Sequence, residues 1–135
     1  MSGPEAFFDT SVLLYLLSAD TEKADRVEEL LESAGVISVQ VLNEFTAVAS
    51  RKLAMPLPDI REVLGTVRSI CRTVPITVDD HDRAIEIKER YKFSFYDSVV
   101  VASALRAECK ILYTEDLQHR QVIDRQLTII NPFAP

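Results

Sequence analysis

The stretch AFFDTSVLLYLL, residues 6–17, decides how the rest of the chain is read. Ala6 to Phe8 is apolar and aromatic, as a short buried strand would be. Ser11 then opens a helical run to Leu17, since a serine hydroxyl satisfies free amides at a helix start. A strand that passes almost directly into a helix is half of a βαβ unit, and the same alternation recurs outward from this segment. Val36 to Ser38, Val74 to Ile76, Ile111 to Tyr113 and Leu127 to Ile130 read as the other strands, with Pro75 marking the third as an edge or irregular one.

The stretches between them have helical period. Asp20 or Thr21 opens a helix with a stripe of Ala24, Val27, Leu30, Leu31 and Ala34, and Gly35 suits its left-handed cap. Val41, Leu42, Phe45, Val48 and Ala49 carry another helix toward Leu53, which Met55 to Pro58 breaks. Pro58 fits the first turn of the next, with the face Val63, Leu64, Val67 and Ile70. Two more are predicted over 79–91 and 94–107, separated by the KFSF turn. The reading is an α/β fold: a central, mostly parallel sheet of four or five short strands flanked by helices.

A chain of 135 residues that is 47% hydrophobic predicts one domain over 1–135 with a sizeable core. No apolar run is long enough for a membrane span, and the start has an aspartate within its apolar part and no basic leader, so a cytoplasmic protein without a signal peptide is expected. Cys71 and Cys109 lie among apolar residues, show no zinc spacing, and read as reduced core residues. The net charge of −6 excludes a global basic field for nucleic acid. Any RNA binding must then use metal ions and a local basic patch, or the acidic surface must serve a basic protein partner.

Four acids stand at positions where chemistry is expected. Asp9 directly follows the first strand and Asp116 lies shortly after the fourth, and functional groups of parallel sheets gather at strand carboxyl ends. Glu44 and Asp97 sit on helices among apolar neighbours, Val41 and Val48 around the one, Phe93, Val100 and Val101 around the other. An inward-facing carboxylate needs a compensating cation or metal, and only Lys92 lies within a turn of Asp97. Taken singly, Asp9 and Asp116 can be helix caps, and Glu44 and Asp97 solvated. Taken together, four converging carboxylates repel unless divalent ions hold them, and hard oxygen ligands without His or Cys point to Mg2+ or Mn2+.

The segments FFDTSVLLYLL (7–17), ISVQVLNEF (37–45), FSFYDSVVVASAL (93–105) and YTEDLQHRQ (113–121) closely resemble, in order and spacing, the four acidic motifs of PIN-domain ribonucleases, particularly the VapC toxins of bacterial toxin–antitoxin pairs. The resemblance implies that Asp9, Glu44, Asp97 and Asp116 are the metal-binding catalytic acids, with Ser11 and Thr114 as small hydroxyls beside them. It also implies two-metal hydrolysis of RNA, a homodimer, and a cognate antitoxin. Asp9 would hold the catalytic ion and Asp116 a second one, with Glu115 as the rival to Asp116. Many relatives carry asparagine where Ser11 stands and glycine where Arg120 follows His119.

Around these acids, His119 reads as structural or solvent-exposed rather than as a general base, and His81 as solvated. Arg51 and Lys52 are candidates for a phosphate contact and Arg120 a weaker one, with solvated surface cations as the alternative for all three. Phe95 and Tyr96 can stack on a base, although packing in the core or a dimer is the expectation. A phosphatase of the haloacid dehalogenase type also begins strand–aspartate, but it needs a second acid two residues later, where this chain has Ser11. The remaining alternative is a non-catalytic PIN-fold module that binds RNA or protein, which loss of one of the four acids would signal.

Overall fold

A computed structural model of the chain describes residues 5–135. Six strands form one sheet in the order β3-β2-β1-β4-β6-β5, and every neighbouring pair is parallel except β5 with β6. β1 (Ala6–Phe8) lies between β2 (Gly35–Ser38) and β4 (Ile111–Tyr113), Phe7 aligning with Val36 on one side and Leu112 on the other. Helices cover both faces, so Phe7, Phe8, Val36, Ile37 and Leu112 are fully buried, which is why these strands are runs of apolar residues rather than alternations. The chain leaves β1 toward β2 and β3 (Cys71–Val74), then returns to the other side for β4 and β6 (Leu127–Ile130). The gap between the carboxyl ends of β1 and β4 is therefore the switch point of the sheet, where α/β folds open a crevice.

The helices are α1 (Thr10–Leu13), followed by a 3-10 turn over Leu14–Leu17, then α2 (Thr21–Leu31), α3 (Val39–Lys52), α4 (Leu57–Ile70), α5 (Val78–Tyr91) and α6 (Phe95–Arg106). Local chemistry fixes their starts. Ser38 accepts the Val41 amide at the head of α3, and Thr77 and Asp80 exchange hydrogen bonds as a capping box on α5. α6 is buried all round from Ser98 to Leu105, so only its first turn emerges at the sheet's carboxyl edge. Among the described residues no helix is long and apolar enough to cross a membrane.

Three local expectations are corrected. Asp9, not Ser11, caps α1, because its carboxylate accepts the Thr10 amide directly. The left-handed residue after α2 is Ala34, with φ of 60°, and Gly35 instead begins β2. Gly35 is required there by close packing, since a Cβ would stand 2.6 Å from the Phe8 ring and 2.8 Å from the Ala6 carbonyl oxygen. β3 spans Cys71–Val74 rather than 74–76, because α4 runs directly into it and Pro75, which has no N–H to donate, lies just past its end. It is an edge strand all the same.

The sixth strand, β5 (Val122–Ile123), was the one not expected. It turns into β6 through Asp124 and Arg125, both at positive φ (50° and 57°), without the glycine that usually signals such a hairpin. Asp124 is held there by α5: Arg90 and the Tyr91 hydroxyl each donate to its carboxylate at 2.9 Å, and its own amide donates back to the Tyr91 oxygen. Cys71 and Cys109 are buried free thiols, pushed by burial to pKa values of about 11 and about 12, and so are unreactive.

Candidate active site

Asp9 leaves the centre of the sheet at the switch point, and its carboxylate is almost wholly enclosed, 4% exposed. One oxygen accepts the Thr10 amide at 2.8 Å, and the other accepts the hydroxyls of Thr114 at 2.7 Å and Ser11 at 3.0 Å. Thr114 comes from the end of β4, and its own backbone continues the sheet by donating to Ile130. Burial drives the Asp9 carboxyl to a pKa of about 7. The bond from Thr114 lowers it somewhat, and the charge of Asp116 raises it again.

The other acids close on the same cleft, of about 290 Å3, which Asp9, Glu44, Asp97 and Asp116 line together. Glu44, half-buried on α3, accepts Thr10 Oγ1 at 3.2 Å and Gln40 Nε2 at 2.9 Å. Asp97 stands in the first turn of α6, where Ser94, not Asp97, is the cap: the Ser94 hydroxyl accepts the Asp97 amide at 3.2 Å. Asp116 is exposed at the rim, its amide bonded to Thr114 Oγ1 at 3.1 Å. Its carboxyl is raised above the usual range, first by desolvation against the cleft wall and then by the charge of Asp97, with Glu115 and Glu44 adding to it.

No lysine or arginine among the described residues forms an ion pair with any of the four, although Arg51 lines the cleft. The acids stand around the cleft rather than drawn onto one point: among the described residues no three His, Cys, Asp or Glu side chains are gathered closely enough to hold an ion.

The remaining residues divide clearly. Tyr96, expected to pack in the core or in a dimer, is outside the core at 63% exposure and lines the cleft, whereas Phe95 does pack, edge-on to His81 and Tyr96. Glu115 turns away from the cleft into a neighbouring hollow that Lys52 also lines, and there it stands beside the Tyr15 phenol and raises its pKa. His119 is structural, its Nδ1 accepting the Asn131 amide at 3.0 Å. Arg120 is exposed and left-handed, with φ of 72°, a backbone position that glycine fills without strain. Thr10 and Gln40 were missed. Gln40 lies one turn before Glu44, a legible spacing, while nothing marks Thr10 except its place between Asp9 and Ser11.

The chain belongs to the PIN domain family, whose model matches residues 6–124. Its fold is shared with proteins of toxin–antitoxin pairs. A Klebsiella pneumoniae toxin–antitoxin complex superposes with a TM-score of 0.72 at 20% identity, covering 96% of this chain and 98% of that one. Mycobacterium tuberculosis VapC20, described as a sarcin-ricin loop cleaving toxin, gives 0.68 at 21% identity over 83% of this chain and 90% of its own. Rickettsia felis VapBC2, solved with a promoter DNA fragment, gives 0.68 at 14% identity over 92% and 96%. No curated protein matches the sequence.

Proposed function

We propose that the protein, as one domain over residues 1–135, is a cytoplasmic endoribonuclease that hydrolyses RNA phosphodiester bonds with Mg2+ or Mn2+ held by Asp9, Glu44, Asp97 and Asp116, and that it is the toxin of a toxin–antitoxin pair. The observation that carries this reading is the cleft at the switch point, lined by four carboxylates none of which has a basic partner among the described residues. The donor set is all oxygen, as hard divalent cations require, and a buried carboxyl held near neutrality is a charge that a cation would complete. Bound there, divalent ions supply an acidified water and neutralise charge growing on the phosphorane and leaving oxygens.

The chain's own residues orient that site. Ser11 and Thr114 fix one oxygen of Asp9, while Thr10 and Gln40 fix both oxygens of Glu44. Tyr96 offers an exposed aromatic face to a base, and Arg51 a cation to a phosphate. Asp116 is preferred to Glu115 as the fourth ligand because only Asp116 faces the cleft.

The test is RNA cleavage in Mn2+, which should stop in excess EDTA. Metal binding needs Asp9 ionised, so at Mn2+ below saturation cleavage should also rise with pH up to about 7 and level above it. The stability of the metal-free protein should move the opposite way. A carboxyl whose folded pKa is raised favours folding at low pH, and that advantage disappears as pH climbs from about 4 through about 7. In chelator the melting temperatures of the parent and Asp9→Asn should thus be closest near pH 4, with the parent falling behind by pH 8. Cleavage that persists in EDTA, with an inactive variant as control, would remove the metal mechanism.

The partner is proposed to be an antitoxin with a basic or amphipathic tail lying across the acidic cleft of a homodimer, which the charge of −6 favours. Light scattering at tens of micromolar, the scale of weak association, should give twice the chain mass. A strict monomer overturns the dimer.

A further inference from the structure

We infer that the hollow beside the acid cleft seats a nucleobase and selects guanine in the nucleotide next to the cut, an inference that rests on the nuclease reading above. The hollow, of about 400 Å3, shares Leu14 and Val48 with the cleft as a common wall. A strand whose phosphate lies at the acids reaches it by turning one base aside, and splayed single-stranded bases are what proteins read in RNA. Its walls are mainly apolar and suit the face of a base, with Leu53 at the rim 52% exposed.

Two charged groups give the hollow selectivity. Glu115 lines it beside Tyr15, and a carboxylate has lone pairs for more than one donor. Guanine presents two adjacent donors, N1–H and the N2 amino group, which one carboxylate accepts as a pair. Adenine and cytosine present one amino group beside a ring acceptor that a carboxylate repels, and uracil presents one N–H between two carbonyls. Lys52, on the same rim, supplies a cation for the phosphate of that nucleotide.

The test is cleavage in Mn2+ of single-stranded RNAs that are identical except for the nucleotides flanking one cut, varied among G, A, C and U. The parent is expected to favour G by about tenfold or more, the discrimination of a good bidentate contact. Glu115→Gln replaces one acceptor by a donor, so the preference for G should largely disappear. Leu53→Trp fills the hollow from an exposed position and should raise KM several-fold, in larger proportion than any change in kcat. A preference that Glu115→Gln leaves intact, or a KM that Leu53→Trp leaves intact, overturns the assignment while the nuclease reading stands; the second result is also what a hollow reserved for a protein segment would give. Absence of cleavage of every RNA by the parent overturns both.

Discussion

The Asp97→Asn protein is expected to lose RNA cleavage by a factor of a hundred or more, on the order expected for removal of a preorganised charged group, while melting no lower than the parent in chelator. The structure separates these two effects. Asp97 caps no helix, since Ser94 does so, and among the described residues it pairs with no cation. Its charge does raise the carboxyl of Asp116, and like charges at close range near a surface oppose each other by about 1 kcal/mol or more. Asparagine keeps the shape and removes that repulsion, so the metal-free variant should melt at the same temperature or a few degrees higher. Ser94→Ala provides the contrast: loss of the cap should cost about 1 kcal/mol with cleavage largely kept. Paired thermal melts in EDTA and cleavage assays in Mn2+ decide it. A lower melting temperature with retained activity would take Asp97 out of the site.

Gly35→Ala is expected to cost about 3 kcal/mol, at the upper end of what overpacking a core costs, although it adds a single methyl group. The new Cβ would lie 2.6 Å from the ring of Phe8, which is fully buried, and 2.8 Å from the carbonyl of Ala6, which is backbone of the central strand. Neither has an easy retreat, because Phe8 also packs on Tyr113 with ring centroids 5.2 Å apart. Movement of β1 would be passed to Asp9, the next residue, so activity should fall along with the urea midpoint. Phe8→Leu in the same chain should recover part of the loss, because the two changes share one contact. A wild-type midpoint for Gly35→Ala would mean that the strands are not so closely approached.

Much of this was legible in residue order, for identifiable reasons. Asp9 and Asp116 could be placed because strand ends are where a parallel sheet opens, and Glu44 and Asp97 because a charge at helical spacing among apolar neighbours is costly without a partner. What escaped depends on backbone angles or on the direction of a single side chain. Gly35 looked like a helix cap since it follows a helical stripe, yet Ala34 takes the left-handed turn and the glycine is spent on strand packing. β5 carried no turn signature because its Asp124–Arg125 turn is held by groups on α5 rather than by glycine. Glu115 and Asp116 are chemically alike and adjacent, and only the direction of each side chain shows that Asp116 lines the cleft and Glu115 the hollow beside it.

The central position of β1 also governs when the site can exist. Its far-side neighbour is β4, so Asp9 meets Thr114, the donor at 2.7 Å, across 105 positions of chain. During synthesis, β1, β2 and β3 leave the ribosome and can pair before Asp97, Thr114 and Asp116 have emerged. Pairings this distant in sequence form slowly, after the nearer ones. A ribosome-bound nascent chain therefore carries Asp9 and Glu44 through most of translation without the other half of its chemistry, and any partner that binds the unfinished fold has that interval to itself.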